Sequence, residues 1–384
     1  MEEPVLIVGA GPSGLAASAC LGIRSIPSLI LEREDCVAPL WRKHAYDRVH
    51  LHLAKQFCEL PHAPYPSGAP TFLPRLDFVS YLDAYVARFR IRIRFRRRVE
   101  SAEFDPDARR WRVVARVASE NGDVEEEEEV YVARFLVVAA GENDVGVVPK
   151  VPGLGGFGGP VVHSSRYRSG SGYKGKRVLV VGCGNSGMEI ALDLAEAGAR
   201  VSIVVRNELH IVSREIWFLG MILLKVLPLR LLDAFILLLC YLKFGDTSKF
   251  GIERPPIGPF YMKLHTPIYP VVDVGTYEKI KSGEIKVLPS LTSIKGNLVT
   301  FSDGKVYHFD AIIFATGYKS SVKEWLKSDD CLIGEDGMAK EKYPNHWRGR
   351  NGLYCVGLAR RGIYGSSEEA QLIATDISKE YNKM

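Results

Sequence analysis

Hydrophobic positions in this chain follow two periods. Short, mainly apolar runs recur at residues 5–8, 29–31, 136–141, 177–181, 201–205 and 310–318, and runs of that length predict parallel strands covered on both faces. Helical spacing predicts helices over 12–21 and 188–197, each directly after such a run, and over 74–89, where Leu76, Val79, Leu82, Tyr85 and Val86 mark one face. Over 88–98 arginine alternates with apolar residues. That period of two predicts a half-buried strand with Phe89, Ile91, Ile93 and Phe95 turned inward and the arginines solvated. Strands at 111–117 and 130–138 are expected as a hairpin. Asn121-Gly122 and the glutamate run 125–129 would join them as an exposed loop facing those arginines.

The apolar stretch 216–244 is broken by Lys225, Pro228, Arg230 and Asp233. No uninterrupted part reaches the roughly 18 residues a membrane-spanning helix needs. It is expected to form a helical cap over a substrate pocket, with docking at a membrane interface as the alternative. Residues 149–159, rich in proline and glycine, look like a hinge. A length of 384 residues suggests two or three domains, and a formal charge of +5 implies no nucleic-acid partner by itself. Seven scattered cysteines with no Cys-x-x-Cys read as reduced thiols. Met1-Glu2-Glu3 leads straight into the first strand, so a cytoplasmic protein is expected. His44, His50, His52 and His62 show no paired spacing beside a carboxylate on a helix, and no metal site is expected.

Candidate chemistry concentrates where strand meets helix. After the first run stands Gly9-Ala10-Gly11-Pro12-Ser13-Gly14, and Glu32 ends the next strand. In such a unit the first glycine makes the turn, the second admits a pyrophosphate to bare backbone, and the third lets helix and strand pack closely. The helix start offers N–H groups to the phosphates, and the acid accepts from ribose hydroxyls. Gly182-Cys183-Gly184-Asn185-Ser186-Gly187 repeats the theme, with Arg206 where the first unit has its acid. An arginine there matches a 2′-phosphate, although a plain surface arginine is the alternative. Two such units suit FAD on the first and NADPH on the second. Trp41, Thr316 and Gly317 complete the expected cofactor-binding set. The expected fold is α/β, two Rossmann-like dinucleotide-binding domains with the NADP domain inserted in the FAD domain. Its expected limits are 1–155 and 296–384 for FAD and 156–295 for NADP, with strand 310–318 returning to the first sheet.

Two flavoenzyme layouts share this plan. Disulfide reductases need a redox cysteine pair, and this chain has no close pair. Phe157-x-Gly159-x-x-x-His163-x-x-x-Tyr167 and Phe314-Ala315-Thr316-Gly317-Tyr318 resemble motifs of flavin-containing monooxygenases, whose Baeyer–Villiger relatives carry tryptophan in place of Tyr167. Segments 53–61, 136–143, 205–210, 245–247 and 273–276 narrow the resemblance to plant YUCCA-type flavin monooxygenases, over nearly the whole chain. Ala140, where that family has threonine, and 265–270 depart from it. The resemblance implies an NADPH- and O₂-dependent enzyme of auxin biosynthesis. It would convert indole-3-pyruvate to indole-3-acetic acid through a flavin C(4a)-peroxide. Lys55 is the candidate side chain near the flavin, with no acid or base assigned. It also implies a small-molecule substrate, no nucleic acid, and contact with a membrane surface such as that of the endoplasmic reticulum. The alternatives are a broad sulfur or nitrogen oxygenase and a non-catalytic dinucleotide-binding module.

Overall fold

The computed structural model of the protein describes residues 1–118, 127–328 and 331–383. Asn121, Gly122, Glu125 and Glu126 of the expected hairpin loop lie outside them. The chain forms two compact α/β units. Residues 1–43, 55–145 and 318–384 make the first, and residues 44–54 and 146–317 the second.

In the first unit the strand Glu2–Val8 lies between Ser28–Leu31 and Glu128–Val138, all parallel, and Val8 stands level with both Leu31 and Val138. The turn at Gly9 therefore opens at the carboxyl edge of the sheet, where ligands of such sheets bind. Glu128–Val138 is shared between two pairings. Its residues 128–133 pair antiparallel with Arg110–Val117, and residues 136–138 pair parallel with Leu353–Cys355. The helix Pro12–Ile23 starts with proline at a position that needs no N–H, continues through alanines 16, 17 and 19, and buries Leu15 and Leu21 completely. Each leucine contributes about 1.5–3 kcal/mol by leaving water. The helix Gly362–Tyr381 packs against it through a face of Ala370, Ile373, Ala374 and Ile377.

The second unit holds a five-stranded parallel sheet in the order Ile285–Leu288, Arg200–Val204, Arg177–Val181, Ala311–Phe314 and Val161–His163. Val178 and Val180 enter one core, Leu179 and Val181 the other. This two-faced burial is why the run is continuously apolar. The stretch 216–244 folds as two helices, Arg214–Leu223 and Leu229–Phe244, joined at Pro228. Gly220 lets the Phe260 ring approach, since a Cβ there would stand 2.5 Å from it, and Phe260 stacks on Trp217 at 4.3 Å. Asp233, which breaks the apolar run, is buried and accepts from the Phe260 and Tyr261 N–H groups at 2.7 and 3.0 Å, capping the helix Pro259–His265. Among the described residues no helix is long and apolar enough to cross a membrane.

Several expectations are corrected. Residues 88–98 are not one strand: the helix Arg75–Phe89 runs on, Arg90 and Arg96 take positive φ, and only Ile93–Arg94 pairs before Arg97–Asp105 begins. Phe89, Ile91, Ile93 and Phe95 are each half-buried. The arginines are spaced for ion pairs instead. Arg92 holds Glu3 at 2.7 Å, while Arg94 and Arg97 hold Glu129. Glu129 therefore faces the arginines as expected, but from inside a strand. Arg97 holds its carboxyl down at about 2. Strand Ala311–Phe314 does not return to the first sheet; it pairs with Arg177–Val181, and the three-residue strand Leu353–Cys355 makes the return. Apolar runs carry burial but no partner identity. In the 149–159 segment a Cβ on Gly153 would meet the Ile294 carbonyl oxygen at 1.8 Å, and the Ile294 N–H donates to the Pro152 carbonyl at 2.9 Å.

Candidate functional site: two dinucleotide loops

The two glycine loops are built alike. Gly9 has φ +110°, and a Cβ on it would stand 2.5 Å from the Ala139 carbonyl oxygen; Gly182 has φ +112° and meets the Ala315 oxygen at 2.4 Å. Side chains there would clash with the neighbouring strand end, whatever their chemistry. At Gly11 and Gly184 nothing lies within 4 Å of an added Cβ. Neither Gly11 nor Gly184 caps its helix with a side chain. Each helix start thus keeps N–H donors unspent beside bare backbone, which fits a pyrophosphate.

The sugar ends differ. Glu32 is 5% exposed, and its Oε2 accepts from the Ala10 N–H at 2.8 Å, its Oε1 from the Glu34 N–H at 2.9 Å. Burial pushes its pKa up, against the pull of those two bonds. Each oxygen keeps a second lone pair for a ribose hydroxyl. Arg206 follows Arg200–Val204, is exposed, and makes no hydrogen bond or ion pair among the described residues. That leaves a guanidinium fork available to a phosphate.

Other expected residues have architectural partners. Ser13 bonds Ser366 at 2.9 Å, and Asn185 accepts from the Val272 N–H at 2.8 Å. Burial pushes the Cys183 thiol up to about 12, so it stays protonated and unreactive. Trp41 sits edge-on to Phe78 at 4.9 Å. Thr316 donates to the Val147 carbonyl, and the Gly317 carbonyl meets His163 Nε2 at 3.1 Å, which places both residues in the second unit. Lys55 is turned to structure: its ammonium donates to the carbonyls of Ser67 and Ala69 at 3.1 and 2.6 Å. The Phe157–Tyr167 signature is a clasp. A Cβ on Gly159 would stand 2.2 Å from the Asp310 carbonyl oxygen, and Tyr167 donates to Asp193 at 2.5 Å. Sequence reading missed two pairs built on a buried glutamate, His52 with Glu189 and His346 with Glu369. The one signal was a glutamate on an otherwise apolar helix face.

The family model described as flavin-binding monooxygenase-like matches residues 2–361. The chain belongs to this family. Among curated relatives it is 51% identical over 378 residues to "Probable indole-3-pyruvate monooxygenase YUCCA10" of Arabidopsis thaliana, covering 98% of this chain and 97% of that protein. It is 47% identical to "Indole-3-pyruvate monooxygenase YUCCA1" of Oryza sativa subsp. japonica, covering 98% and 92%. Among solved structures, the flavin-containing monooxygenase from Stenotrophomonas maltophilia aligns with a TM-score of 0.72 at 20% identity, over 99% of both chains. A bacillithiol disulfide reductase from Bacillus cereus aligns nearly as well, with a TM-score of 0.71 at 20% identity over 99% and 100%. The fold alone therefore does not separate this flavin-binding monooxygenase-like chain from disulfide reductases. The family model and the curated relatives do.

Proposed function

We propose that this chain carries out the NADPH- and O₂-dependent oxidative decarboxylation of indole-3-pyruvate to indole-3-acetic acid, the substrate after which its relatives are named. The observation that carries the reading is the pair of equally built loops, one ending in Glu32 and the other in Arg206, in a chain about half identical to those relatives end to end. Gly9, Ala10, Gly11, Pro12, Ser13, Gly14 and Glu32 would hold FAD, with Trp41 nearby. Residues 182–187 and Arg206 would hold NADPH, with Thr316 and Gly317 shaping the adjacent strand end. Bound FAD would supply the hydride acceptor for NADPH and the means of delivering one atom of O₂ to the keto carbon of the substrate. NADPH, O₂, a proton and the 2-oxo acid thereby become NADP⁺, water, carbon dioxide and the shortened acid. Helix starts neutralise the phosphates, Glu32 orients the first ribose, and Arg206 selects the 2′-phosphate.

Incubation of the purified holoprotein with NADPH and indole-3-pyruvate under ¹⁸O₂ tests this. One labelled oxygen is expected in the carboxyl group of indole-3-acetic acid. An oxygenated thioether with untouched 2-oxo acid would establish the broad oxygenase, and a yellow protein that does not oxidise NADPH a binding module.

The second unit also presents an apolar face. Leu231, Phe235, Leu238 and Leu242 are exposed at spacings of four, three and four along Leu229–Phe244, with exposed Lys225 and Arg230 at its start. One helix face of this kind beside cations suits docking of a cytoplasmic protein on an anionic bilayer, such as the endoplasmic reticulum surface. Sedimentation with phosphatidylserine vesicles, lost in Leu238→Glu/Leu242→Glu, is the expected result; equal sedimentation of the variant removes this face.

A further inference from the structure

The helix Gly362–Tyr381 reaches the first dinucleotide loop with two side chains three residues apart, Ser366 and Glu369, which therefore share one face. Ser366 accepts from the Ser13 hydroxyl at 2.9 Å and donates to the Gly362 carbonyl at 3.2 Å. Glu369 reaches the chain just past the return strand Leu353–Cys355, where its Oε2 accepts from the Gly357 N–H at 2.7 Å. Its Oε1 pairs with His346 Nε2 at 2.8 Å, and both side chains are 1% exposed. Gly357 closes the ring. It has φ +75°, and a Cβ on it would stand 2.2 Å from Ser13 Oγ. Cys355 is level with Val138 and Val138 with Val8, so Gly357 lies just past the carboxyl edge of the sheet, where the Gly9 turn also opens. One helix thus holds Ser13 from two sides, directly through Ser366 and by way of Gly357 through Glu369.

The second loop has no such brace. Its backbone is the same, with φ +112° at Gly182 against +110° at Gly9, yet Ser186, which stands where the first loop has Ser13, makes no side-chain hydrogen bond among the described residues. The turn therefore forms without a brace. A carboxylate this deeply buried is costly even when bonded, so a use beyond the turn is needed to account for Glu369. A site already held in its binding shape loses less freedom when its ligand arrives, and most differences in affinity appear in the rate of release. A cofactor that stays through every turnover gains from this, whereas a nucleotide that must leave does not. We propose that Glu369 is a positioning residue for FAD, which through Gly357 and Ser13 preorganises the first loop and slows release of the cofactor. This rests on the reading that FAD lies on the first loop and NADP(H) on the second.

Release of FAD from the purified holoprotein on dilution, followed by flavin fluorescence, measures the brace, and reconstitution of the apoprotein gives the matching Kd. Glu369→Leu keeps the space filled but leaves the Gly357 N–H without its acceptor, and should speed release and weaken FAD about tenfold. Glu369→Gln keeps an oxygen for that N–H and should stay within about twofold of wild type. NADP⁺ affinity of the FAD-loaded variants, set by the unbraced loop, should not change. A merely structural residue would lower the apoprotein thermal midpoint in Glu369→Leu and leave FAD release at the wild-type rate, and that result overturns the inference. Glutamine no better than leucine overturns it too, because the effect would then not run through the Gly357 bond. If Glu369→Leu gives no folded protein, Ser366→Ala decides, since it removes only the bond from Ser13: faster release is expected, and wild-type release overturns the brace. Gly11→Val distinguishes the premise. Full flavin there overturns the loop assignment and the brace with it, whereas lost flavin with wild-type release in the Glu369 and Ser366 variants overturns the brace alone.

Discussion

At the first loop a Cβ on Gly14 would stand 2.0 Å from the Gly9 carbonyl oxygen, and at the second a Cβ on Gly187 would stand 2.0 Å from the Gly182 oxygen. The same two clashes recur against the neighbouring strand, at Ala139 and Ala315. One backbone solution thus serves both units. The loops part at the sugar end, where Glu32 is buried and bonded back to Ala10 while Arg206 is exposed and bonded to nothing among the described residues. The acid belongs to the architecture of its loop, and on the proposed reading would also serve its ligand. On the proposed reading the arginine would serve the ligand alone. Substitutions in the two loops should therefore agree at the glycines and disagree at the sugar ends.

The largest effect is expected at the third glycine. Gly14→Val or Gly187→Val drives carbon into a carbonyl and should cost about 3 kcal/mol or more, as overpacking of a rigid contact does. Little soluble protein is expected from either. Gly11→Val meets open space and should fold with an unchanged thermal midpoint, yet lose its yellow colour because the side chain fills the pyrophosphate's place. If Gly11→Val keeps full flavin, the first loop does not hold it.

These glycines were legible in the sequence because their constraints are local, a turn and two close approaches written within six residues. The strands at 5–8 and 177–181 and the helices after them were legible for the same reason. Partner choice was not. Ala311–Phe314 and Leu353–Cys355 are both short apolar strands, and only the packed structure sends the first to Arg177–Val181 and the second to Glu128–Val138. The arginine alternation misled because ion pairs to Glu3 and Glu129 give the same spacing that a strand face would. His52 and Glu189 lie 137 residues apart, so no local pattern joins them. Lys55 was read by its neighbours in sequence, while its ammonium answers to loop carbonyls.

A middle effect is expected at Glu32. Glu32→Ala leaves the Ala10 and Glu34 N–H groups without their acceptor, and bonds to charged groups are worth about 1.5–3 kcal/mol each. Denaturant midpoint and flavin affinity should fall together. The pH dependence follows from burial, which holds the Glu32 carboxyl above its ordinary 4.5. Folding then takes up a proton at this residue between 4.5 and the raised value, so its contribution to apoprotein stability grows as pH falls through that window and is lost as pH rises through it. Flavin affinity has the opposite slope, since ribose hydroxyls donate to the anion. Parallel slopes in wild type and Glu32→Ala would show that another group titrates there.

The smallest effect on the protein, and the sharpest on its ligand, is expected at Arg206. Nothing among the described residues rests on this side chain, so Arg206→Ala should leave the thermal midpoint and flavin content unchanged. A bidentate guanidinium–phosphate contact is worth about 1.5–3 kcal/mol, so the substitution should weaken NADPH roughly ten- to a hundredfold. NADH, which lacks the 2′-phosphate, should bind as before. Lysine keeps the charge without the planar fork, so Arg206→Lys should fall between wild type and alanine. Measured KM values for both nucleotides check the set. Equal losses for NADPH and NADH would move Arg206 out of phosphate recognition and into the structure of the loop, and the difference between the two sugar ends would then rest on Glu32 alone.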